Sequence, residues 1–506
     1  MNPTNADKPK KPFTQFKERT LGPPPQAIQI DDVTIEIPTS YKKGMQVPAR
    51  IIANKELMAS MDEGVFNQIT NVATLPGIQR YAFCMADGHW GYGFPIGGVA
   101  AFDPAKGGII SPGGIGFDIN CGMRLIRTNL HVDEVMPKIK ELVDTLYKKV
   151  PAGVGCKGFV QIDKEEFKDV MLKGAQWAVD KGLGWPSDVE NIESHGCIPQ
   201  ADITKVSDKA IARGFNQIGT LGSGNHYLEI QVVKEGNIFD EKAAKAFGIT
   251  GPGQVVIMVH CGSRGFGHQI GTDYLRTFLD VMPKYGIEIL DRELACAPFN
   301  SPEGQDYFKA MACAANMAFA NRQVITHRIR EVFAQIFGKT AEEMEMELVY
   351  DVAHNIAKLE MHKVDGVEKE LLVHRKGATR AFGPSRHAEL PKAYKKVGQP
   401  VILGGSMETG SYLLVGTDGA DETFASTAHG AGRTMSRAAA IRDIDGAALQ
   451  KDMEKRGIYV HGTSMKGLAE EAGKAYKDIE TVVDSLEAAG ITRRVVALKP
   501  IGNVKG

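Results

Sequence analysis

Apolar positions recur along the chain with two different periods. From Ser301-Pro302-Glu303 onward, Tyr307, Met311, Ala314, Ala318, Ile325, Ile329, Val332 and Ile336 fall on one face of a 3.6-residue repeat. This predicts a long helix, opened by a serine cap and a proline and stopped near Gly338. Elsewhere the apolar runs are short and β-rich: VVIMVH up to His260, ELVYDVAH up to His354, Val401 to Leu403, and Tyr412 to Val415. These predict strands, with histidines standing where two of them end. Helices and strands do not alternate in regular βαβ units, so the pattern predicts a mixed α+β fold rather than a doubly wound sheet.

Residues 1–25 lack periodicity, are rich in Pro and Lys, and end in Gly22-Pro23-Pro24-Pro25, which reads as a flexible extension. No linker or internal repeat interrupts residues 26–506, and the chemically interesting residues spread from Asp87 to Lys505, so one large catalytic domain is expected. Lys plus Arg number 60 against 61 Asp plus Glu. No global field draws in nucleic acid, and any RNA contact has to come from a local basic cluster. Seven cysteines without CxxC spacing argue against a disulfide framework or zinc ribbon and for a reducing, cytoplasmic location. No run approaches the roughly 18 to 20 apolar residues of a membrane span, and the first residues do not resemble a signal peptide. Glycine, 56 of 506 residues, exceeds the usual share of roughly 7% and hints at loops that approach phosphate closely.

Four segments carry metal-ligand chemistry. GGIGFDINCGMR holds Asp118 and Cys121 three residues apart between glycine turns; GTLGSGNHYLE holds His226; His260 and His354 end apolar strands. A lone His or Cys beside a turn is more often a hydrogen-bonded core residue. Here a ligand-type residue meets a strand end or glycine turn four times over. One carboxylate, one thiolate and three imidazoles exceed the four ligands of a tetrahedral ion, which points to two metals sharing Cys121. Asp87-Gly88-His89 fits either a support for such ligands or a structural turn. His131, His195, Cys197, His327, His362, His387 and His461 lack this context and read as structural.

Near the C-terminus, ETFASTAHGAGRTMSR puts His429 before Gly430-Ala431-Gly432 and a predicted helix start bearing Arg433 and Arg437. A glycine turn opening a helix exposes N–H groups to phosphate, and an imidazole there could carry a nucleotide as a phosphoramidate; an ordinary capping turn is the plainer alternative. Two decoys are set aside. Phe337-Gly338-Lys339-Thr340 lacks the first glycine of a phosphate loop, and Lys363-Val364-Asp365-Gly366, although it matches KxDG of lysine-based nucleotidyl ligases, sits between β-rich runs where Asp-Gly is a hairpin turn. The basic run from His374 through Arg375, Lys376 and Arg380 to Arg386 reads as a solvated face able to meet phosphate, with little aromatic interleaving.

Together GFDINCG, GxGNH, HxGSRGxGH, YDVAHNIAK, LLVHRKGATRAF and HGAGR, with the terminal PIGNVKG, resemble the RtcB family of RNA ligases over roughly residues 45–506. The resemblance implies a GTP-dependent ligase that joins a 2′,3′-cyclic phosphate or 3′-phosphate RNA end to a 5′-hydroxyl end. It implies two manganese ions on Asp118, Cys121, His226, His260 and His354, and His429 as the guanylylated residue. Asn225, Glu229, Asn355, Ser411, Gly430, Ala431, Gly432, Tyr476 and Lys505 would contact the guanine nucleotide, and Arg213 and Arg437 RNA phosphate. RNA is the implied partner, with an archease-type activator and no membrane. Two departures stand out: MADGH replaces the family's MPDGH, and Met407-Glu408-Thr409 occupies a loop that commonly carries a glycine. A binuclear phosphoesterase would share the ligands but not need HGAGR, and a non-catalytic RNA-binding subunit would be expected to have lost a ligand.

Overall fold

The computed structural model describes residues 20–506. Residues 1–19 of the expected extension lie outside the described residues. From Thr20 the chain runs alongside the start of a helix: Glu63 N–H donates to Thr20 O (3.0 Å) and Gly22 N–H to Met61 O (2.8 Å).

The long helix spans Pro302–Phe337, with the Ser301 side chain accepting from the Gly304 N–H and Gly338 closing it at φ 65°. It is buried on more than the one expected face, since every residue from Ala310 to Thr326 is inside. It is therefore a central rod, and its polar residues must find partners within the core. The four predicted strands form as Gln254–Cys261, Leu348–Ala353, Pro400–Leu403 and Ser411–Gly416. The mixed α+β expectation holds: two large sheets, mostly antiparallel, sit among helices of varied length.

The first sheet has seven strands in the order Ile28–Asp31, Thr34–Ile37, Ala49–Ile52, Ala82–His89, Ile96–Phe102, Val367–Lys376 and Asn355–Val364. The last two form a hairpin in which Val364 faces Val367 across Asp365 (φ 51°) and Gly366 (φ 82°). Positive φ at both central residues is the tight hairpin turn that Asp-Gly favours, so Lys363 belongs to a strand and not to a nucleotide-carrying motif. Phe337 and Gly338 end the long helix, which likewise removes the phosphate-loop reading.

The second sheet runs Leu348–Ala353, Gly122–His131, Gln254–Cys261, Tyr227–Ile238, Thr492–Lys505, Ser411–Gly416, Pro400–Leu403, with Tyr459–Gly462 parallel to Thr492–Lys505. Its register aligns Ala353 with Gly122, Gly122 with Cys261, and His260 with Tyr227. Four consecutive strand ends thus meet at one edge. The chain crosses from this sheet to the first at His354, between Leu348–Ala353 and Asn355–Val364.

The long helix anchors this edge. Arg322 grips Asp351 with two hydrogen bonds of 2.8 Å and donates to the carbonyls of Asn120 and Cys261, each at 2.8 Å; Arg124 donates to the same carboxylate at 2.7 Å. All three side chains are fully buried. Burial alone would raise the Asp351 pKa, but the two guanidiniums hold it below the usual carboxylate value. Asn321, one residue earlier, accepts from the Gly219 and Thr220 N–H groups. Removing one partner of a buried charge cluster costs about 3–5 kcal/mol, against about 0–1 kcal/mol for an exposed pair. Asp351→Ala should therefore lower the thermal unfolding midpoint by several degrees, while Lys339→Ala, which breaks a half-exposed pair with Glu134, leaves it unchanged. Equal midpoints by calorimetry would count against the anchor.

Candidate active site and metal centre

The strand ends bring the five ligand-type residues together. Cys121 Sγ lies 3.2 Å from both His226 Nε2 and His260 Nε2, His260 Nε2 lies 3.2 Å from His354 Nε2, and Asp118 Oδ2 lies 2.8 Å from His226 Nε2. The donor atoms of Cys121, His226 and His260 all fall within 4.8 Å of one another. The second Asp118 oxygen is buried without a hydrogen-bond partner, and a Cβ on Gly262 would stand 2.4 Å from both carboxylate oxygens. A soft thiolate, three imidazoles and a carboxylate converging in this way suit a transition-metal ion.

Protonation favours ligation at three of the five residues, His260, His354 and Asp118. Burial holds His260 and His354 well below their ordinary pKa, leaving neutral rings with a lone pair. His260 Nδ1–H donates to Asn225 O (2.9 Å), which directs the Nε2 lone pair into the cluster. Burial opposes ionisation of Asp118, yet His226 and Arg264 keep its carboxyl below the usual range. Burial, reinforced by Asp118, pushes the Cys121 thiol well up. His226 is set differently: Arg264 Nη1 donates to its Nδ1 (3.0 Å), so Nε2 carries the ring proton and donates it to Asp118. Binding a metal through His226 Nε2 requires that proton to move to Nδ1 and Arg264 to release the ring.

His429 stands beside this cluster, its ring centroid 4.6 Å from that of His354. It follows the short strand Ser426–Ala428. The segment after it is not the helix start the sequence predicts; that helix begins only at Arg437, capped by Ser436. Gly430 to Gly432 instead form a loop locked from two sides. Ala431 N–H donates to Gly404 O (2.9 Å) and Lys477 N–H to Gly432 O (2.9 Å). Gly432 adopts φ 76°, and a Cβ there would sit 2.1 Å from Asp87 O, so only glycine lets the loop lie on the strand that carries Asp87.

Asp87 decides the state of His429. Its Oδ2 accepts from His429 Nδ1 at 2.6 Å and from the His429 and Gly430 N–H groups at 3.2 and 3.3 Å. A carboxylate on Nδ1 selects the tautomer of the neutral ring in which Nε2 carries the lone pair, the form a nucleophilic imidazole needs. Lys477 secures Asp87 by donating to the carbonyls on either side, Gly88 O at 2.6 Å and Ala86 O at 3.1 Å. His89 Nδ1–H donates to Asp87 O (2.9 Å), and burial lowers its pKa to about 4.

These groups open into one cavity of about 800 Å³, within the roughly 300–1,000 Å³ of small-molecule sites. Asp118, Cys121, His260, His354 and His429 line it, as do Asn225, Glu229, Asn355, Gly430, Ala431, Gly432, Tyr476, Arg437 and Lys505. Glu229 is buried and its pKa is raised to about 7 by that burial, with Gln231 and Lys505 opposing. Glu471 ties the same wall together, taking Lys505 (3.4 Å), Arg433 (3.1 Å) and the Tyr476 hydroxyl. Ser411 lies just behind the wall, its Oγ accepting from Gln231 (3.1 Å). Asn355 is engaged in holding backbone, donating to Asp118 O and accepting from Gly377 N–H.

Arg213 does not line the cavity; it ends a short helix and donates to Gln269 (2.8 Å). The basic run is not a solvated face either. Arg375 is fully buried and pairs with Glu360 at 2.7 and 2.8 Å, and Arg380 is held by Gln399 and Tyr350. These cations hold the core together and are not free for phosphate. Asp87, Lys477 and Arg264 take roles that the sequence pattern does not signal, although Arg264 stands within the HxGSRGxGH motif. Asp87 is visible there only as part of DGH, and Lys477 carries no periodic or motif signal. All seven cysteines are free of disulfides, and among the described residues no helix is long and apolar enough to cross a membrane.

The family described as tRNA-splicing ligase RtcB matches residues 68–506. The chain is 54% identical to the tRNA-splicing ligase RtcB of Methanococcus maripaludis over 479 residues, 94% of this chain and 99% of that protein. The chain belongs to the RtcB family. Identity is also 54% to the tRNA-splicing ligase RtcB of Thermococcus kodakarensis, covering 94% of this chain and 98% of that one. An RNA-splicing ligase RtcB homolog of Entamoeba dispar is 47% identical over 93% of this chain and 89% of its own length. The Met407–Thr409 loop is tied down at Glu408, which accepts from Gly473 N–H (2.6 Å) and pairs with Arg456 (2.6 Å).

Cys121 and Cys261 give a direct test of the centre. Cys261 Sγ points away, donating to Leu221 O (3.0 Å) and Thr220 O (3.3 Å). Cys121→Ala should lose most of the bound metal and Cys261→Ala should keep it, as measured on purified variants. Because the thiol is held protonated and only the thiolate binds metal, wild-type affinity should rise with pH by up to about tenfold per unit around neutrality. Equal metal content in the two variants, or an affinity indifferent to pH, would remove Cys121 from the centre.

Proposed function

We propose that this chain is an RNA ligase that consumes GTP and joins an RNA 2′,3′-cyclic phosphate or 3′-phosphate end to a 5′-hydroxyl end. The observation that carries the proposal is the pairing, in one cavity, of an imidazole whose Nε2 is left free by Asp87 with a cluster of metal-type donors. A binuclear phosphoesterase would need the donors alone.

In this reading His429 Nε2 attacks the α-phosphorus of GTP, a P–N bond forms as the bond to pyrophosphate breaks, and Asp87 offsets the charge gained by the ring. Glu229, ionised, accepts from the guanine edge, with Lys505 and Tyr476 on the same wall. Asp118, Cys121, His226, His260 and His354 would hold manganese, which when bound supplies Lewis-acid neutralisation of phosphate charge. A 2′,3′-cyclic phosphate end is first opened by water, the P–O2′ bond breaking to leave a 3′-phosphate and a 2′-hydroxyl; the guanylyl group then passes from His429 to that 3′-phosphate as the P–N bond breaks. Arg437 on the cavity wall would receive RNA phosphate, with Arg264 and Arg213 continuing the track outside it. The 5′-hydroxyl oxygen finally displaces GMP, closing the phosphodiester.

The test uses GTP labelled at the α-phosphate with manganese, followed by denaturing electrophoresis. Label should remain on the protein, vanish in His429→Ala and persist in Lys363→Ala; the reverse pattern would sink the assignment. A second assay separates loading from sealing. His429→Ala should still join an RNA whose 3′-phosphate is already guanylylated, whereas Asp118→Ala and His354→Ala fail with both substrates. No product from folded, metal-loaded His429→Ala would mean that the histidine also acts in the last step.

A further inference from the structure

Trp90 takes no part in nucleotide loading or sealing, yet it lines the cavity with 62% of its surface exposed. The other two tryptophans are accounted for: Trp177 is buried at 2% exposure, and Trp185 lies under the Arg330 guanidinium, 3.6 Å from its ring centroid. An indole left in water forfeits the burial that ordinarily fixes so large a side chain. Trp90 is nevertheless held. A Cβ on Gly64 would stand 2.1 Å from its Cζ3 and 2.2 Å from its Cε3, so the ring rests directly on the glycine backbone in the first turn of helix Glu63–Val72. The next residue is clamped to that helix by a reciprocal pair: Gln68 Nε2 donates to Gly91 O (2.7 Å) and Gly91 N–H donates to Gln68 Oε1 (3.1 Å). One part of the ring is packed and the remainder faces the cavity.

Trp90 stands three residues after Asp87, just past the end of the strand that orients His429, whereas the wall suited to guanine is built from Tyr227–Ile238 and Thr492–Lys505 in the other sheet. The cavity thus has an aromatic surface separate from the one that fits the guanine nucleotide, and Arg437 on its lining, exposed beside Glu470, suits a phosphate backbone. A rigid, half-exposed aromatic beside phosphate-binding cations is how proteins hold an unpaired nucleobase.

We propose that Trp90 is a stacking platform for a nucleobase of the RNA next to the ligation junction. This rests on the RNA ligase reading and adds a base subsite to it. The ring face accepts any base, so the subsite favours unpaired ends without selecting sequence, and Gly64 is kept small to seat it.

The test measures binding of the full chain to a short fluorescent RNA by anisotropy, with manganese present and GTP omitted. Intact RNA is compared with RNAs made abasic at the nucleotide on either side of the junction. Trp90→Ala should weaken binding of intact RNA about tenfold, in line with one lost base stack, and Trp90→Tyr should recover most of it. In the wild type, one of the two abasic RNAs should show a similar loss, and that loss should disappear in Trp90→Ala. Abasic penalties that persist undiminished in Trp90→Ala, or wild-type affinity in that variant, would overturn the platform. Sealing of the intact ends is scored separately on a gel. If the wild type binds in this Trp90-dependent way yet joins nothing, the ligase reading falls and the base subsite stands.

Discussion

Register within one sheet is the constraint on which the site depends. In the antiparallel order that sets Leu348–Ala353, Gly122–His131, Gln254–Cys261 and Tyr227–Ile238 side by side, ends and beginnings of successive strands share an edge. Residues 354, 121, 260 and 226, far apart in the chain, become neighbours only because each stands at such an end. A slip of one residue in any strand would turn its ligand to the opposite face. Arg322 works against such a slip, because its guanidinium binds the carbonyls flanking two of these ends while Asp351 holds it from a third strand. The long helix is buried all round from Ala310 to Thr326 because this task lies in the middle of the molecule.

The second constraint is where protons sit. Three histidines of the site have their tautomers set by different partners: a carbonyl for His260, a carboxylate for His429 and a guanidinium for His226. The first two leave Nε2 free as a donor atom. The third does the opposite, placing the proton on Nε2. Similar side chains are thereby given different roles without any change in residue type, by the group that faces the other ring nitrogen.

The two sheets contribute different functions. The second supplies the metal-type donors and the wall with Glu229 and Lys505, and the first supplies Asp87, His89 and Trp90. His354 is the residue at which the chain passes from one to the other, and its ring lies against both His260 and His429. A cavity between two sheets can hold a nucleotide and an RNA end together without a separate RNA-binding domain, and the balance of 60 basic and 61 acidic residues fits local rather than global recognition.

The sequence by itself determined the elements and the chemistry they could carry. The 3.6-residue period and its caps defined Pro302–Phe337, the β-rich runs defined the strands, Asp365-Gly366 disposed of the lysine motif, and HGAGR with the five ligand-type residues was legible as motifs. Those signals are local, because capping, turn geometry and strand propensity act over a few residues. Only the tertiary structure decided which charges are buried. Arg375 and Arg380 look like a phosphate-binding run in sequence, but Arg375 neutralises Glu360 across a hairpin and Arg380 is held by Gln399 and Tyr350. Tertiary contacts also set the backbone after His429, where a loop locked to Gly404 and Asp87 replaces the helix start that Gly-Ala-Gly-Arg implies. Asp87, Lys477 and Trp90 acquire their roles entirely from long-range placement, since a hydrogen bond spanning 342 residues, such as that from His429 to Asp87, leaves no periodic trace in the chain.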